Sequence, residues 1–316
     1  MEKIIAYQRS KTHDVLLTVM KEKNIWSKFE VDMDSRYVPS SEVDIDEVDH
    51  HVRAGKANLI FGHHFTPYAA RVRKDGIRYS CVASISNRCP DAICAKPDTK
   101  TVNDVRGKRI AVQGTHPRLA LCRILSLQGL NADDGDVELV RHPAQGNVYE
   151  EMLDQLLKGK VDGAFLVPPF DLMAQEAGFV TLEETRFFPN IMGGTLTLTG
   201  DFTKTNPEAV HKLIKAVIYG IWFVKRHREE SMSLMEKHSR YKNLKHLHYT
   251  LEKQIELLES RPYPTALAVY HTFEEAIRAY PQIPNLKELN PLSVWDIHWL
   301  REIEDSGFID DLYNQV

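Results

Sequence analysis

The stretch Asp104–Arg123, DVRGKRIAVQGTHPRLALCR, predicts a turn, a buried strand, a short loop and the start of a helix. Arg109–Val112 is a short apolar run after the turn at Gly107, and apolar residues at helical spacing follow Pro117. A strand that leads into a helix directs backbone N–H groups and the positive end of the helix dipole at the space beyond the strand. This space is a predicted anion site, and the polar residues that crowd it are Gln113, Gly114, Thr115, His116 and Arg118. For each of these residues taken singly, a capped helix with solvated polar side chains is the alternative.

The composition places the chain among ordinary globular proteins. Its 316 residues are 43% hydrophobic and 27% charged, which fits one large or two medium α/β domains. The net charge of −4 and the lack of a polybasic run argue against a nucleic-acid partner. The spacing of the four cysteines fits neither a disulfide scaffold nor a paired-thiol zinc site, so we expect reduced core thiols at Cys81, Cys89, Cys94 and Cys122.

The beginning of the sequence, MEKIIAYQRS, lacks the long apolar stretch of a secretion signal. The richest apolar run, Ala216–Val224, is too short to span a membrane. We therefore expect a cytoplasmic protein with no membrane span, or a periplasmic one if a leader was removed before residue 1.

Strands and helices alternate along the chain. The first predicted strand is Lys3–Tyr7, and the clearest alternation runs from a strand at Val137–Val140 to another at Phe179–Leu182, with a helix at Val148–Lys158. A long helix begins at Pro207. This order predicts parallel-rich sheets with helices on both faces. A weak repeat, AGKAN at residues 54–58 and KGKVD at residues 158–162, suggests two related lobes.

Four segments together resemble a known family. They are DVRGKRIAVQG at 104–114, LLKGKVDGAF at 156–165, NPEAVHKLIKA at 206–216 and EDSGFI at 304–309. With the order of elements, they are similar to type II periplasmic solute-binding proteins, in the branch with sulfonate-binding proteins and fungal thiamine-pyrimidine synthases. The resemblance implies an α/β, two-lobed type II periplasmic-binding-protein-like fold with a ligand cleft between the lobes. We expect residues 1–91 and 191–316 to form lobe 1, and residues 92–190 to form lobe 2.

The resemblance also implies which loops hold the ligand. The family's loops correspond to Gln8–His13, Gly62–Tyr68, Ser84–Asn87, Gln113–Arg118 and Val167–Phe170. In them we expect the ligand to be bound by Arg9, Ser10, His13, Gly62, Tyr68, Ser84, Gln113, Gly114, Thr115, Arg118, Pro168 and Phe170. For the aromatic residues Tyr68 and Phe170, a core position is the alternative to stacking on a planar ligand.

Three departures from the family bear on function. We expect no secretion leader, and Phe188–Gly194 reads FPNIMGG in place of the Cys-rich motif of the fungal synthases. Aromatic desulfinases of this fold use a nucleophilic cysteine in the first loop, which here contains Ser10 and no cysteine.

Histidines are the candidate proton donors. His13, His63, His64 and His116 all fall in the predicted ligand loops, and imidazole titrates near neutrality. We expect His63, His64 and His116 to be the catalytic residues, while hydrogen bonding to loop backbone is the alternative for each. No metal-ligand spacing such as HxxxH is present, so we expect no metal and no cofactor.

Two functions remain open on the sequence. The favoured one is a cytoplasmic lyase, decarboxylase-like, for a small aromatic or heteroaromatic carboxylate: an arginine binds the acid and a histidine protonates the carbon as carbon dioxide leaves. The alternative is the substrate-binding protein of an ABC importer for sulfonates, pyrimidines or related small anions, whose partner is then an ABC permease. Measuring both ligand binding and carbon dioxide release separates the two.

Overall fold

The computed structural model describes residues 2–9, 13–38, 45–62, 65–114, 116–142, 148–186, 191–238 and 243–314. The strands of this described part are β1 Lys3–Gln8, β2 Asp32–Tyr37, β3 Leu59–Phe61, β4 Tyr79–Ser86, β5 Ala92–Ala95, β6 Arg109–Gln113, β7 Glu138–His142, β8 Gly163–Leu166, β9 Val180–Leu182 and β10 Gly194–Thr199. Its helices are α1 Asp14–Glu22, α2 Ile25–Lys28, α3 Ile45–Arg53, α4 Thr66–Val72, α5 His116–Leu127, α6 Val148–Leu157, α7 Phe170–Glu176, α8 Gly200–Thr205, α9 Pro207–Arg226, α10 Arg228–His238, α11 Leu244–Leu257, α12 Ala266–Ala279, α13 His298–Asp305 and α14 Phe308–Asn314.

The chain divides into two compact units, each with its own five-stranded sheet. Unit 1 comprises Met1–Asn87, Met192–Arg240 and Gln254–Val316, and unit 2 comprises Arg88–Ile191 and Tyr241–Lys253. Both sheets are mixed and carry helices, which confirms the predicted α/β fold in two parts.

The sheet of unit 1 has the order β2-β1-β3-β10-β4. The first three strands are parallel, whereas β10 is antiparallel to both β3 and β4. The carboxyl ends of β1 and β3 therefore lie at the same edge as the start of β10, where Gly194 pairs with Ser86 of β4.

Helix α9 supplies much of the core of unit 1. Apolar residues recur along it at helical spacing from Val210 to Val224, as predicted, and are buried. It packs closely on α1, because Gly220 has no side chain: a Cβ there would lie 2.6 Å from Cγ of Met20. The close approach of the two helices depends on this glycine.

The sheet of unit 2 has the order β7-β6-β8-β5-β9. Strands β6, β7 and β8 are parallel, and β5 is antiparallel to β8 and β9. Residues alternate between its two faces: Ile110 and Val112 belong to one apolar cluster, and Ala111 belongs to another. Both faces of the inner strands are covered, which explains why β8 and β5 are uninterrupted apolar runs.

The two units depart from the predicted division chiefly in residues 241–253, which group with unit 2 rather than with 191–316. Side-chain contacts explain this placement. The hydroxyl of Tyr249 donates to Oδ2 of Asp171 at 2.6 Å, and Lys245 and His246 both pair with Glu176. These polar contacts connect residues about 70 positions apart, so sequence periodicity cannot show them.

None of the helices in the described part of the chain is both long and apolar enough to cross a membrane.

Candidate functional site

One edge of the sheet in unit 2 gathers polar side chains from several strands. The carboxyl ends of β6 and β8 lie there. Gln113 is the last residue of β6, and the turn at Pro168 follows β8. Because β5 runs antiparallel to β8, its beginning lies at the same edge, and this adds Cys89 and Asp91. The predicted strand–loop–helix at 109–118 is confirmed as β6 followed by α5.

Cys89 and His116 form a pair at this edge. The Sγ of Cys89 lies 3.1 Å from Nε2 of His116 and 3.7 Å from the carbonyl oxygen of Ile191. Burial lowers the pKa of His116 to about 4 and raises the pKa of the Cys89 thiol well above its ordinary value. Both groups are therefore neutral at pH 7, and His116 is a hydrogen-bonding group rather than a cation.

Asp91 and Gln113 lie around the hydroxyl of Tyr149. Nε2 of Gln113 donates to this hydroxyl at 3.0 Å. Burial raises the pKa of Asp91 to about 7, and nearby Asp171 acts in the same direction, whereas Arg186 and the Tyr149 hydroxyl lower it. Burial and then the Asp91 carboxyl raise the pKa of Tyr149 well above its ordinary value. Asp91 therefore titrates close to neutrality.

The ring of Tyr149 forms a flat apolar surface with Phe170. The two rings are stacked, with centroids 5.8 Å apart and planes 19° from parallel. Phe170 also packs against the apolar cluster that contains Met152 and Leu166, and Pro168 before it is buried. Phe170 is only partly buried, so it lies at this edge of the sheet and also packs into the core.

The start of α5 is the predicted anion site. Gly114 has φ +53°, which favours glycine, and its N–H donates to the carbonyl oxygen of His142 at 2.9 Å. Arg118 is in the first turn of this 12-residue helix and is half-buried. Within the described part of the chain its guanidinium has neither an ion-pair nor a hydrogen-bond partner. A free guanidinium beside a helix start suits an oxyanion.

A buried ion pair between Arg186 and Asp171 stabilises the same edge of the sheet. Nη2 of Arg186 lies 2.7 Å from Oδ2 of Asp171, and the two side chains are 2% and 0% exposed. Nη1 of Arg186 donates to the carbonyl oxygen of Pro90 at 3.1 Å, and Glu183 pairs with the same guanidinium. Arg186 thus fixes the backbone next to Asp91.

In unit 1, His13 occupies a space between two glycines. It is 2% exposed and precedes α1, and its Nε2 has no hydrogen-bond partner among the described residues. A Cβ on Gly62 would lie 3.2 Å from Nε2, and a Cβ on Gly194 would lie 2.6 Å from Cε1. Gly62 also has φ +84°. Burial lowers the pKa of His13 to about 4, so the ring is neutral.

Three other predicted ligand residues of unit 1 have structural partners. Nη1 of Arg9 donates to the carbonyl oxygen of Val38 at 2.9 Å. Ser84 is fully buried, and its hydroxyl lies 3.1 Å from Oδ1 of Asn87. Tyr68 is 1% exposed, packs against Phe273 and accepts a hydrogen bond from Nε1 of Trp295 at 3.2 Å. The structure therefore favours the core position that was the alternative for Tyr68.

Four predicted site residues, Ser10, His63, His64 and Thr115, lie outside the described residues. In the part of the chain that is described, no three His, Cys, Asp or Glu side chains come together in a way that could hold a metal ion. The proposed roles of these four residues stay predictions.

Sequence reasoning missed several residues of the edge in unit 2. They are Cys89, Asp91, Tyr149, Asp171 and Arg186. A usable signal existed for Asp91, because it is a single charged residue directly before the fully buried strand Ala92–Ala95. No comparable pattern marks Tyr149, which lies inside a helix predicted from its apolar spacing.

Comparison with known proteins gives one family and many similar structures. The family described as "NMT1/THI5 like" matches residues 38–231. None of the curated protein sequences matches the chain.

The similar structures cover nearly the whole chain. One is the putative sulfonate ABC transporter periplasmic sulfonate-binding protein SsuA from Methylobacillus flagellatus KT, with a TM-score of 0.72 and 16% identity over 97% of this chain and 96% of that one. Another is the alkanesulfonate-binding protein SsuA from Xanthomonas axonopodis pv. citri bound to MOPS, with a TM-score of 0.66 and 14% identity over 93% and 98%. A third is the desulfurization enzyme DSZB, with a TM-score of 0.59 and 14% identity over 96% and 99%. These likenesses confirm the predicted fold.

Proposed function

The chain belongs to the NMT1/THI5-like family, and on that premise we propose that it is a solute-binding protein for a small organic anion of the sulfonate or carboxylate type. The observation that carries the proposal is the start of α5. There Arg118 has no partner within the described residues, and the side chains of His116 and Gln113 near the end of β6 are neutral. A guanidinium with no carboxylate partner among the described residues is available to bind the two oxygens of a ligand anion.

Similar structures support the binding role over the lyase that the sequence favoured. Two of them are named for sulfonate binding, and one was solved with MOPS, which carries a sulfonate group. In this role the partner is an ABC permease and the protein acts in the periplasm, in line with the printed name of the protein from Methylobacillus flagellatus KT. The lyase hypothesis keeps one point of support, since DSZB is an enzyme of the same fold.

Calorimetric titration with butane-1-sulfonate, benzenesulfonate and benzoate tests the proposal. We expect the wild-type protein to bind at least one of them. Arg118→Ala should weaken that binding by about 1.5–3 kcal/mol, which is roughly 10- to 150-fold, because a charge-assisted hydrogen-bond pair is lost. The matched control is Arg106→Ala, since Arg106 is an exposed arginine of unit 2 that already pairs with Asp136.

Three outcomes would count against the proposal in different ways. If the wild-type protein binds no sulfonate and no carboxylate, the proposed function is wrong. If Arg118→Ala behaves like Arg106→Ala, the anion is bound elsewhere. If a bound carboxylate is recovered without its carboxyl group after long incubation, the protein is a lyase and His63→Ala or His64→Ala should reduce its rate by roughly 10²–10⁴.

A further inference from the structure

Two buried acceptor oxygens near the hydroxyl of Tyr149 have no donor among the described residues. Asp91 is 5% exposed, and its Oδ1 has no hydrogen-bond partner among the described residues. The Oε1 of Gln113 is also buried and without a partner there, although the same amide donates to Tyr149 through Nε2. Buried polar atoms are almost always hydrogen-bonded, so two acceptors with no donor among the described residues make this position suitable for a donor group of a ligand.

We propose that the ligand carries, in addition to its anionic group, an ammonium or amino group that donates hydrogen bonds to Asp91 and Gln113. This rests on the proposed function, because it assigns a second contact to the ligand of the same site. The ligand class is then a small amino-substituted organic anion rather than a plain alkyl or aryl anion.

The surroundings leave Asp91 available to such a donor. Arg186, whose charge lowers the pKa of Asp91, is bound to Asp171 at 2.7 Å and to Glu183 at 2.8 Å and is not a hydrogen-bond partner of Oδ1 of Asp91. The other titratable groups that act on Asp91 are Asp171 and Tyr149. Neither supplies a positive charge, and Cys89 beyond Tyr149 is neutral.

The stacked rings explain why a charged donor forms a stronger hydrogen bond at this position. Tyr149 and Phe170 form an apolar surface next to the two acceptors, so water is partly excluded from the contact. A hydrogen bond between an ammonium group and a carboxylate is stronger when the pair is shielded from water. An amino group of the ligand should therefore change the affinity more at this position than at the protein surface.

The protonation of Asp91 predicts whether ligand affinity rises or falls with pH, and this direction can be measured. Since burial raises the pKa of Asp91 to about 7, the carboxyl is partly protonated at neutral pH. Binding of an ammonium group favours the ionised carboxylate, so affinity for an amino-substituted anion should rise from pH 6 to pH 8. A plain anion brings only negative charge, so its affinity should stay level or fall over the same range.

Two pairs of probes of nearly equal shape test the proposal by calorimetry. They are 3-aminopropane-1-sulfonate against butane-1-sulfonate, and 4-aminobutanoate against pentanoate. In at least one pair, we expect the amino member to bind the wild-type protein about tenfold or more tightly, the loss expected when a charged hydrogen bond is absent. Asp91→Asn should remove this preference, because the carboxylate that accepts hydrogen bonds from the ammonium group is lost.

The control variant is Asp154→Asn, since Asp154 is an exposed aspartate of the same unit that pairs with Lys158. It should leave the preference unchanged. If the plain anions bind and the amino members gain nothing, the inference is wrong, the proposed function stands, and water satisfies the two acceptors. If Asp91→Asn weakens both members of a pair equally, Asp91 is structural and the inference is again wrong. If no probe of either kind binds, the proposed function fails and the inference fails with it.

The pH dependence of the wild-type protein provides a test that needs no variant. A rise in affinity between pH 6 and pH 8 for the amino member, with a level or falling affinity for the plain member, supports the contact with Asp91. Parallel trends contradict it.

Discussion

Replacing Arg186 by methionine is expected to destabilise unit 2 strongly. Methionine keeps most of the length of the side chain but removes its charge, and Asp171 then stays buried with the hydroxyl of Tyr249 as its remaining donor. Removing one partner of a buried ion pair costs about 3–5 kcal/mol, because the other charge is left uncompensated. Since a folded domain is stable by only about 5–15 kcal/mol, this is a large fraction of the total.

Urea unfolding followed by circular dichroism measures the effect. With a slope of about 1–3 kcal/mol per molar urea, a loss of 3 kcal/mol lowers the midpoint by at least about 1 M. The matched control is Glu183→Gln, which breaks the other ion pair of the same guanidinium. The Glu183 side chain is 59% exposed, so its pair with Arg186 contributes only about 0–1 kcal/mol.

Comparing Arg186→Met with Glu183→Gln shows whether the buried pair with Asp171 stabilises unit 2 more than the exposed pair with Glu183 does. If Arg186→Met lowers the midpoint no more than Glu183→Gln does, burial does not make the Asp171 pair important, and our account of the support behind Asp91 is wrong. A second measurement is independent of stability. Arg186 lowers the pKa of Asp91, so its removal should raise that pKa further, as seen by titrating the carboxyl in NMR spectra.

Two further predictions concern neutral buried groups. Acidification from about pH 6.5 to about pH 4 should lower the free energy of unfolding, because burial lowers the pKa of His13 to about 4 and the unfolded chain alone binds the proton in this range. Urea unfolding at several pH values gives the slope of the free energy of unfolding against pH, and His13→Gln should reduce this slope by up to about 1.4 kcal/mol per pH unit. An unchanged slope would mean that His13 is not buried as a neutral ring. Cys89 should react with iodoacetamide more slowly at pH 8 than a free model thiol does, because burial raises its pKa, and mass spectrometry can follow the labelling. Faster labelling would instead show a thiolate paired with a protonated His116, which would support the enzyme hypothesis.

Local patterns in the sequence predict much of the fold. The run Arg109–Val112 followed by Pro117 predicts β6 and α5, and the apolar spacing after Pro207 predicts α9. Both succeed because a buried strand and an amphipathic helix are encoded by neighbouring residues. The placement of residues 241–253 with unit 2 depends on contacts such as Tyr249 with Asp171, and distant contacts leave no periodic pattern.

Aromatic residues show a second limit of sequence patterns. Tyr68 and Phe170 both follow a strand and begin a helix, so the sequence gives them the same predicted role. In the structure Tyr68 is buried against Phe273 and Trp295, whereas Phe170 stays partly exposed beside Tyr149. The partners that cover Tyr68 are more than 200 residues away, so only the folded chain separates the two cases.

The direction of a strand explains why Asp91 was missed. A search for ligand-binding residues in an α/β protein looks at the carboxyl ends of parallel strands, where loops and helix starts meet. Strand β5 runs antiparallel to β8, so its beginning and not its end lies at that edge, and the residues before it join Gln113 and the Pro168 turn. In a mixed sheet, residues that precede an antiparallel strand should therefore be examined together with those that follow the parallel ones. Here that rule would have placed a buried carboxyl beside the predicted anion site, and with it an acceptor oxygen that has no donor among the described residues.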